Sequence, residues 1–113
     1  MGQGTSPLDP VWYRDSTYGS RNAQVPAGAA TTTLSPGAPP DGAILATVVV
    51  TATGTAATSF YDVANGVVGA AVPLFTVPAN AATGTVYTVR LPYTFGLAAV
   101  GIANSPALSV SLT

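Results

Sequence analysis

The sequence predicts an all-β protein: a small antiparallel β-sandwich of about six strands, preceded by an extended N-terminal arm. Apolar and Thr or Ser residues alternate over much of residues 43–113, and short turn signals separate the alternating runs. These runs begin roughly every 10 to 12 residues, which is typical of a sandwich. Residues 1–42 contain six of the ten prolines and five of the seven charged residues. We therefore divide the chain into an arm, residues 1–42, and a body, residues 43–113.

Six runs in the body are predicted to be strands. They comprise residues 44–53, 58–63, 67–77, 85–91, 97–103 and 107–113. The first has mostly β-branched residues on both faces, as expected of a well-buried strand. Asn65-Gly66 supplies the positive φ angles of a tight hairpin turn before the third strand. Pro73 indicates that part of the third strand lies at a sheet edge or in a bulge.

The alternation of apolar and polar residues also predicts which side chains of two strands face the core. The predicted inward set consists of Tyr87, Val89 and Leu91 in the fourth strand and Leu108, Val110 and Leu112 in the last.

The second half of the arm shows neither a helical nor a strand period. Pro26, Pro36, Pro39 and Pro40 all lie within residues 25–42, and proline interrupts helices and β-ladders alike. We interpret these residues as an extended, polyproline-like segment.

The first half of the arm carries an aromatic cluster. It consists of Val11, Trp12, Tyr13, Arg14 and Tyr18, with Arg21 as a possible extension. Exposed aromatic rings are costly, and Trp, Tyr and Arg dominate the binding energy of protein interfaces. We predict that this cluster is an anchor that inserts into a pocket of a partner protein. The alternative is that the rings fold back onto the protein's own sandwich.

The composition excludes several classes of function. The chain has three basic residues, no His, no Cys and a net charge of −1. Three arginines cannot form a patch that neutralises phosphates, so nucleic-acid binding is not expected. Without His and Cys the chain has no imidazole base and no thiolate ligand. Four scattered Asp residues do not supply the roughly six to eight oxygens of a calcium site. We predict that the protein is not an enzyme and has no catalytic, cofactor-binding or metal-binding residues.

Two further features have simple structural interpretations. Residues 43–61 contain no charge but many Thr residues, so we do not expect them to span a membrane. Asp62 follows an aromatic pair and has no second acid near it in sequence. We expect its carboxylate to accept hydrogen bonds from turn amides, as Asp does in Asx-turns.

The body has too few charges for an ordinary soluble monomer. Asp62 and Arg90 are its only charged residues, whereas about 25–35% of a typical surface is charged. The body has 71 residues, and the stability that a single core of this size provides is marginal without disulfides or metals. We therefore expect association with other chains, including copies of this one. The alternative is a surface that stays soluble through its Thr and Ser hydroxyls.

Several short motifs follow one another in the body. They are the Ala/Thr/Gly-rich strand end at residues 48–58, Phe60-Tyr61-Asp62, an aliphatic strand with a Pro-Ala-Asn loop, Phe95-Gly96-Leu97, and a terminal Leu-Ser-Val-Ser-Leu strand. This order resembles the small β-sandwich proteins that decorate, or cement, the capsids of tailed bacteriophages. The resemblance covers residues 43–113, and no site residues are carried over from it.

The resemblance implies a virion structural protein on the outer surface of a capsid. Such a protein binds neighbouring subunits of the major capsid protein by burying apolar surface and pairing β-strands, and so opposes expansion under genome pressure. An alternative is a phage tail or fibre module that binds a host-surface glycan or another tail protein. Tyr93 and Phe95 are the candidate loop aromatics for that alternative.

Overall fold

The computed structural model describes residues 21–28, 30–37 and 43–113. These residues form eight β-strands: β1 (Arg21–Val25), β2 (Thr31–Ser35), β3 (Ile44–Ala52), β4 (Thr58–Tyr61), β5 (Pro73–Val77), β6 (Val86–Pro92), β7 (Leu97–Val100) and β8 (Ala107–Leu112). One 3-10 turn, Ala64–Gly66, lies between β4 and β5. The predicted anchor lies outside the described residues; it comprises Val11, Trp12, Tyr13, Arg14 and Tyr18.

The strands form two four-stranded antiparallel sheets, in the orders β1-β8-β3-β6 and β2-β7-β4-β5. The predicted antiparallel sandwich is therefore confirmed, with eight strands rather than about six. Each strand of the first half pairs with its counterpart counted from the other end of the chain: β1 with β8, β2 with β7, β3 with β6 and β4 with β5. The strand pairs together resemble one long hairpin whose turn connects β4 to β5. The hairpin folds so that the pairs β1–β8 and β3–β6 form one sheet and the pairs β2–β7 and β4–β5 form the other. It is the arrangement of an eight-stranded jelly roll.

Residues 21–35, which the sequence analysis assigned to the arm, belong to the sandwich. β1 pairs with β8 in continuous register from Arg21↔Leu112 to Val25↔Leu108, and β2 pairs with β7. The prediction that residues 25–42 contain no strand is thus wrong for β2. Pro26 and Pro36 directly follow β1 and β2 instead of interrupting them. Both strands lie at sheet edges, where prolines at strand ends are tolerated.

The core lies between the two sheets. Leu108, Val110 and Leu112 are at most 1% exposed, which confirms the inward face predicted for β8. In β6 the inward residues, Tyr87 among them, are half-buried, because β6 is an edge strand. Phe60 lies 6.1 Å from Phe75, measured between ring centroids, and Phe75 lies 5.4 Å from Tyr87 in an edge-to-face arrangement. These three rings join β4 and β5 of one sheet to β6 of the other.

The connection between β4 and β5 is longer than the predicted hairpin turn. Asn65 and Gly66 have the expected positive φ angles, 55° and 72°, but they lie in the 3-10 turn, and β5 begins only at Pro73. The turn packs on β2 and β7. A Cβ atom on Gly66 would lie 2.4 Å from the hydroxyl of Thr33, so the close approach to β2 requires glycine. The prediction of a strand over residues 67–72 is wrong, because these residues form no β-ladder and contain a turn in which the amide of Ala71 donates to the carbonyl oxygen of Val68 at 3.0 Å.

The positions of Val110 and Val89 predict different costs for a buried charge. Val110 is 0% exposed in a central strand, and an unpaired charge at such a site is among the strongest destabilisers. We expect Val110→Asp to abolish the cooperative thermal transition measured by circular dichroism. Val89→Asp, at a half-buried edge position, should lower the midpoint without abolishing it.

Ser109→Asp is the matched control, since Ser109 is the outward-facing neighbour of Val110. It should change the free energy of unfolding by only about 0.5–1 kcal/mol. A normal transition in Val110→Asp would contradict the inward assignment of β8.

Candidate functional site

One end of the sandwich brings together several of the polar and aromatic residues singled out in the sequence. β4 and β6 end here and β1 begins here, because neighbouring strands run in opposite directions. The connections at this end follow β2, β4 and β6, and the last two of them comprise residues 62–72 and residues 93–96. We call this region, including Arg21, the Phe95 end.

The carboxylate of Asp62 holds the turn between β6 and β7. Its Oδ2 accepts a hydrogen bond from the amide of Thr94 at 2.8 Å, and its Oδ1 accepts from Phe95 at 2.7 Å and from Gly96 at 3.4 Å. The prediction that Asp62 accepts hydrogen bonds from turn amides is confirmed, but the expected local Asx-turn is wrong, because the turn that it binds lies more than thirty residues away in sequence. Hydrogen bonds to an ionised acceptor are stronger than neutral ones, so this carboxylate fixes the turn.

Gly96 allows the turn to lie directly against two other connections. A Cβ atom at this position would lie 2.4 Å from the carbonyl oxygen of Val63 and 2.9 Å from that of Ser35. Backbone atoms cannot move away as the end of a flexible side chain can. The turn can therefore reach Asp62 only with glycine at this position.

Arg21 joins both sheets at this end. Its Nη2 donates hydrogen bonds to the main-chain oxygen of Thr113 at 2.8 Å, to Ser35 Oγ at 3.2 Å and to Tyr93 Oη at 3.4 Å. The hydroxyl of Tyr93 also donates to the main-chain oxygen of Thr113. The guanidinium of Arg21 is thus used within the fold, contrary to its predicted place at the end of an anchor.

The two aromatic residues of this turn, Tyr93 and Phe95, differ in burial. Tyr93 is 3% exposed and belongs to the core, whereas Phe95 is 64% exposed. Tyr93 is therefore unsuited to stack on a glycan, as the alternative function required, while Phe95 remains accessible. No local pattern distinguishes the two residues in the sequence, since both aromatics lie in the same short turn.

The outer face of the sheet that contains β1 has two rows of uncharged side chains. The paired positions are Asn22, Ser111, Thr47 and Thr88 in one row and Gln24, Ser109, Val49 and Val86 in the other. The amide of Gln24 donates to Ser109 Oγ at 3.1 Å and to Asn22 Oδ1 at 3.2 Å. Within the part of the chain that the structure describes, the charged residues are Arg21, Asp62 and Arg90, and the first two make hydrogen bonds within the fold.

A groove lies at the opposite end of the sandwich, with a volume of about 410 Å³. It is lined by Ala27, Gly28, Thr53, Gly54, Thr55, Asn104 and Ser105. The lining consists of small side chains, with polar and apolar surface in about equal parts and without an ionisable side chain. It offers neither an acid–base pair nor a large apolar surface.

Among the described residues, no group of three or more His, Cys, Asp and Glu side chains could hold a metal ion. No helix in the same residues has the length and apolar character needed to cross a membrane. Comparisons of the chain with protein-family models, with curated proteins and with solved structures found no match.

The hydrogen bonds of Asp62 predict the effect of neutralising it. Asp62→Asn places an N–H group against amide donors and leaves one side-chain oxygen to accept. We expect a loss of about 1–3 kcal/mol in the free energy of unfolding, measured in urea, because amides of the turn lose their acceptor. Hydrogen exchange at the amides of residues 94–96 should become faster.

Arg90→Gln is the control for loss of a charge, because Arg90 is an exposed residue of the edge strand β6 and the amides of the turn are bound by Asp62 instead. It should leave both measurements nearly unchanged. Unaltered exchange at residues 94–96 in Asp62→Asn would show that the carboxylate does not hold the turn.

Proposed function

We propose that the protein is a virion structural protein, a decoration or cement protein that binds and stabilises neighbouring major capsid subunits of a tailed bacteriophage. The observation that carries this proposal is the nearly charge-free surface of the described sandwich. Two of its three charged residues make hydrogen bonds within the fold. The two outer rows described above are uncharged, and Arg90 is the third charge, exposed on β6. A small domain with such a surface gains stability and solubility when other chains cover it.

The fold supports the proposal by analogy. Eight-stranded jelly rolls occur in viral capsid proteins and in lectins, but a fold does not by itself imply a function. Between these two classes, the site favours the structural one. A lectin needs exposed aromatic and polar groups that converge on the sugar, and the burial of Tyr93 removes one of the two aromatics considered for that role.

The sheet edges suggest where β-pairing with another chain can occur. β6 has a bulge between its pairs with Leu45 and Thr47, at which Arg90 has a φ of 51°. β5 begins with Pro73, and the register of β2 shifts between Thr33 and Ser35. Such irregularities and prolines protect edges from pairing. β1 is regular over its full length, so we assign any strand pairing with capsid subunits, or with a second copy, to β1.

The scarcity of charge predicts binding that is insensitive to salt. We expect the affinity for phage particles that lack this protein to change by no more than about twofold between low and high salt, because few charges are available to be screened. The measurement is occupancy on particles after sedimentation. A tenfold or greater loss in high salt would contradict an apolar interface.

The aromatic cluster of the arm predicts a second effect on binding. Replacement of a Trp anchor typically costs about 2 kcal/mol or more, so Trp12→Ala should lower the affinity for the particles about tenfold or more. The thermal midpoint of the sandwich should stay unchanged. Trp12→Phe, which keeps a large ring, is the matched control and should retain most of the affinity.

Deletion of the arm cannot replace Trp12→Ala in this test. A chain that starts at Asp41 would lack β1 and β2, which belong to the two sheets. Normal occupancy by Trp12→Ala would contradict the anchor. A lower thermal midpoint would show instead that the ring packs on the protein's own sandwich.

A further inference from the structure

β1 and β2 are each joined to the sandwich by a single ladder. Within the described residues, β1 lies at the edge of one sheet and pairs only with β8, and β2 lies at the edge of the other sheet and pairs only with β7. The two strands contact each other on the same side of the sandwich. One connection, residues 36–43, joins them to β3. We call residues 21–35 the β1–β2 segment.

The order of the strands makes this segment the part of the described fold that can separate with the least disruption. β8 lies between β1 and β3, so it cannot leave without breaking two ladders. The other edge strands, β5 and β6, are held by connections at both of their ends. When the β1–β2 segment opens, the orders β8-β3-β6 and β7-β4-β5 stay paired. Local opening of such a unit requires less free energy than global unfolding.

The surface that this opening uncovers matches the β1–β2 segment residue by residue. Val25 is 2% exposed and Leu34 is 8% exposed, and both belong to the core between the sheets. The register of β1 on β8 is continuous from Arg21↔Leu112 to Val25↔Leu108. An unpaired strand edge is a template for pairing with another chain. A second copy of this chain carries the segment whose side chains and register fit that edge.

Arg21 adds polar contacts that a second copy would reproduce. Its Nη2 donates to the main-chain oxygen of Thr113 at 2.8 Å and to Tyr93 Oη at 3.4 Å. Both acceptors lie outside the β1–β2 segment, so an exchanged segment makes the same two hydrogen bonds to its new host. The other charged residues that the structure describes are Asp62 and Arg90. Surfaces with so few charges repel a second copy only weakly.

The connection from β2 to β3 has the length and composition needed to reach another copy. It comprises eight residues, of which Pro36, Pro39 and Pro40 are prolines. Proline-rich segments favour extended conformations of about 3.1 Å per residue, so eight residues can span about 25 Å. Packed sheets lie only about 10 Å apart. A connection of this kind can therefore pass from one sandwich to a neighbouring one.

We propose that two copies of the chain exchange their β1–β2 segments, so that β1 and β2 of each copy complete the two sheets of the other. Exchange of an identical element is a low-cost route to a dimer, because the closed and exchanged forms contain the same ladders and core contacts. The equilibrium depends on the protein concentration relative to the effective concentration of the tethered segment, which is about millimolar for a short linker. The exchange goes beyond the proposed function, since it involves only copies of this chain.

The chain contains no Cys, so introduced cysteines can report which copy supplies β1. Gln24 lies opposite Ser109 across the ladder between β1 and β8, and residues in this arrangement are close enough for a disulfide. The full-length double variant Gln24→Cys/Ser109→Cys is held at about 1 mM or about 1 µM, diluted, and oxidised at once. Non-reducing electrophoresis separates a disulfide within one chain from disulfides between two chains.

We expect interchain disulfides in about half of the chains at about 1 mM and in almost none at about 1 µM. The matched control is Val49→Cys/Ser109→Cys. Val49 lies opposite Ser109 across the ladder between β3 and β8, and neither of these strands leaves its own sandwich in the exchange. The control should form intrachain disulfides at both concentrations, which distinguishes exchange from random crosslinking of concentrated protein.

Sedimentation of the unaltered protein gives a second measurement that needs no cysteines, and it should show dimers at about 1 mM and monomers at about 1 µM. Part of each concentrated sample is also warmed through its thermal midpoint and cooled, so that slow opening does not hide the exchange.

Two results would overturn the exchange. One is intrachain disulfides alone in every sample of Gln24→Cys/Ser109→Cys, including the warmed ones. The other is a dimer of the unaltered protein combined with intrachain disulfides in the variant, because the copies would then associate through another surface. Neither measurement uses phage particles, so failure of the proposed function and failure of the exchange are separate outcomes.

Discussion

The position of β8 between β1 and β3 is the constraint on which the rest of the structure depends. β8 is the last strand of the chain, yet it lies inside its sheet, and its three inward side chains are at most 1% exposed. The first sheet therefore closes only when both ends of the described chain are in place. Bringing such distant segments together costs chain entropy before their contacts can stabilise the sheet. This type of fold is therefore slow to form. Because β8 has a hydrogen-bonded neighbour on each side, β1 is part of the sandwich.

The closed sandwich determines how the few charges are used. Arg21 and Asp62 both lie at the Phe95 end, where they bind main-chain oxygens, hydroxyl groups and turn amides. In most small domains charged side chains keep the surface soluble; here two of the three described charges stabilise connections between strands. The outer face of the sheet that contains β1 is left with hydroxyl, amide and aliphatic groups and with Arg90, which is exposed on β6. The use of Arg21 and Asp62 within the fold strengthens it, and the scarcity of surface charge that results is the observation on which the proposed association with other chains rests.

The Phe95 end combines rigidity with apolar exposure, which is the combination that protein interfaces use at their centres. The turn that buries Tyr93 also exposes Phe95, so one short connection contributes to both the core and the surface. Gly96 makes this possible because its missing side chain lets three connections meet. The groove at the other end is lined by small side chains, none of them aromatic. The two ends of the sandwich therefore differ in chemistry although they are built from similar short loops.

The sequence by itself determined the features that depend on neighbours along the chain. The alternation in β8 identified its buried face, and Asn65-Gly66 identified positive φ angles. The use of Asp62 as an acceptor for turn amides was also predictable. Only the tertiary structure decided that β1 and β2 join the sheets, since their partners are β8 and β7 from the other end of the chain. It likewise decided which turn Asp62 binds and which aromatic residue of that turn is exposed. Local patterns cannot specify these outcomes, because each depends on contacts between residues that are distant in sequence and become neighbours only when the two sheets close.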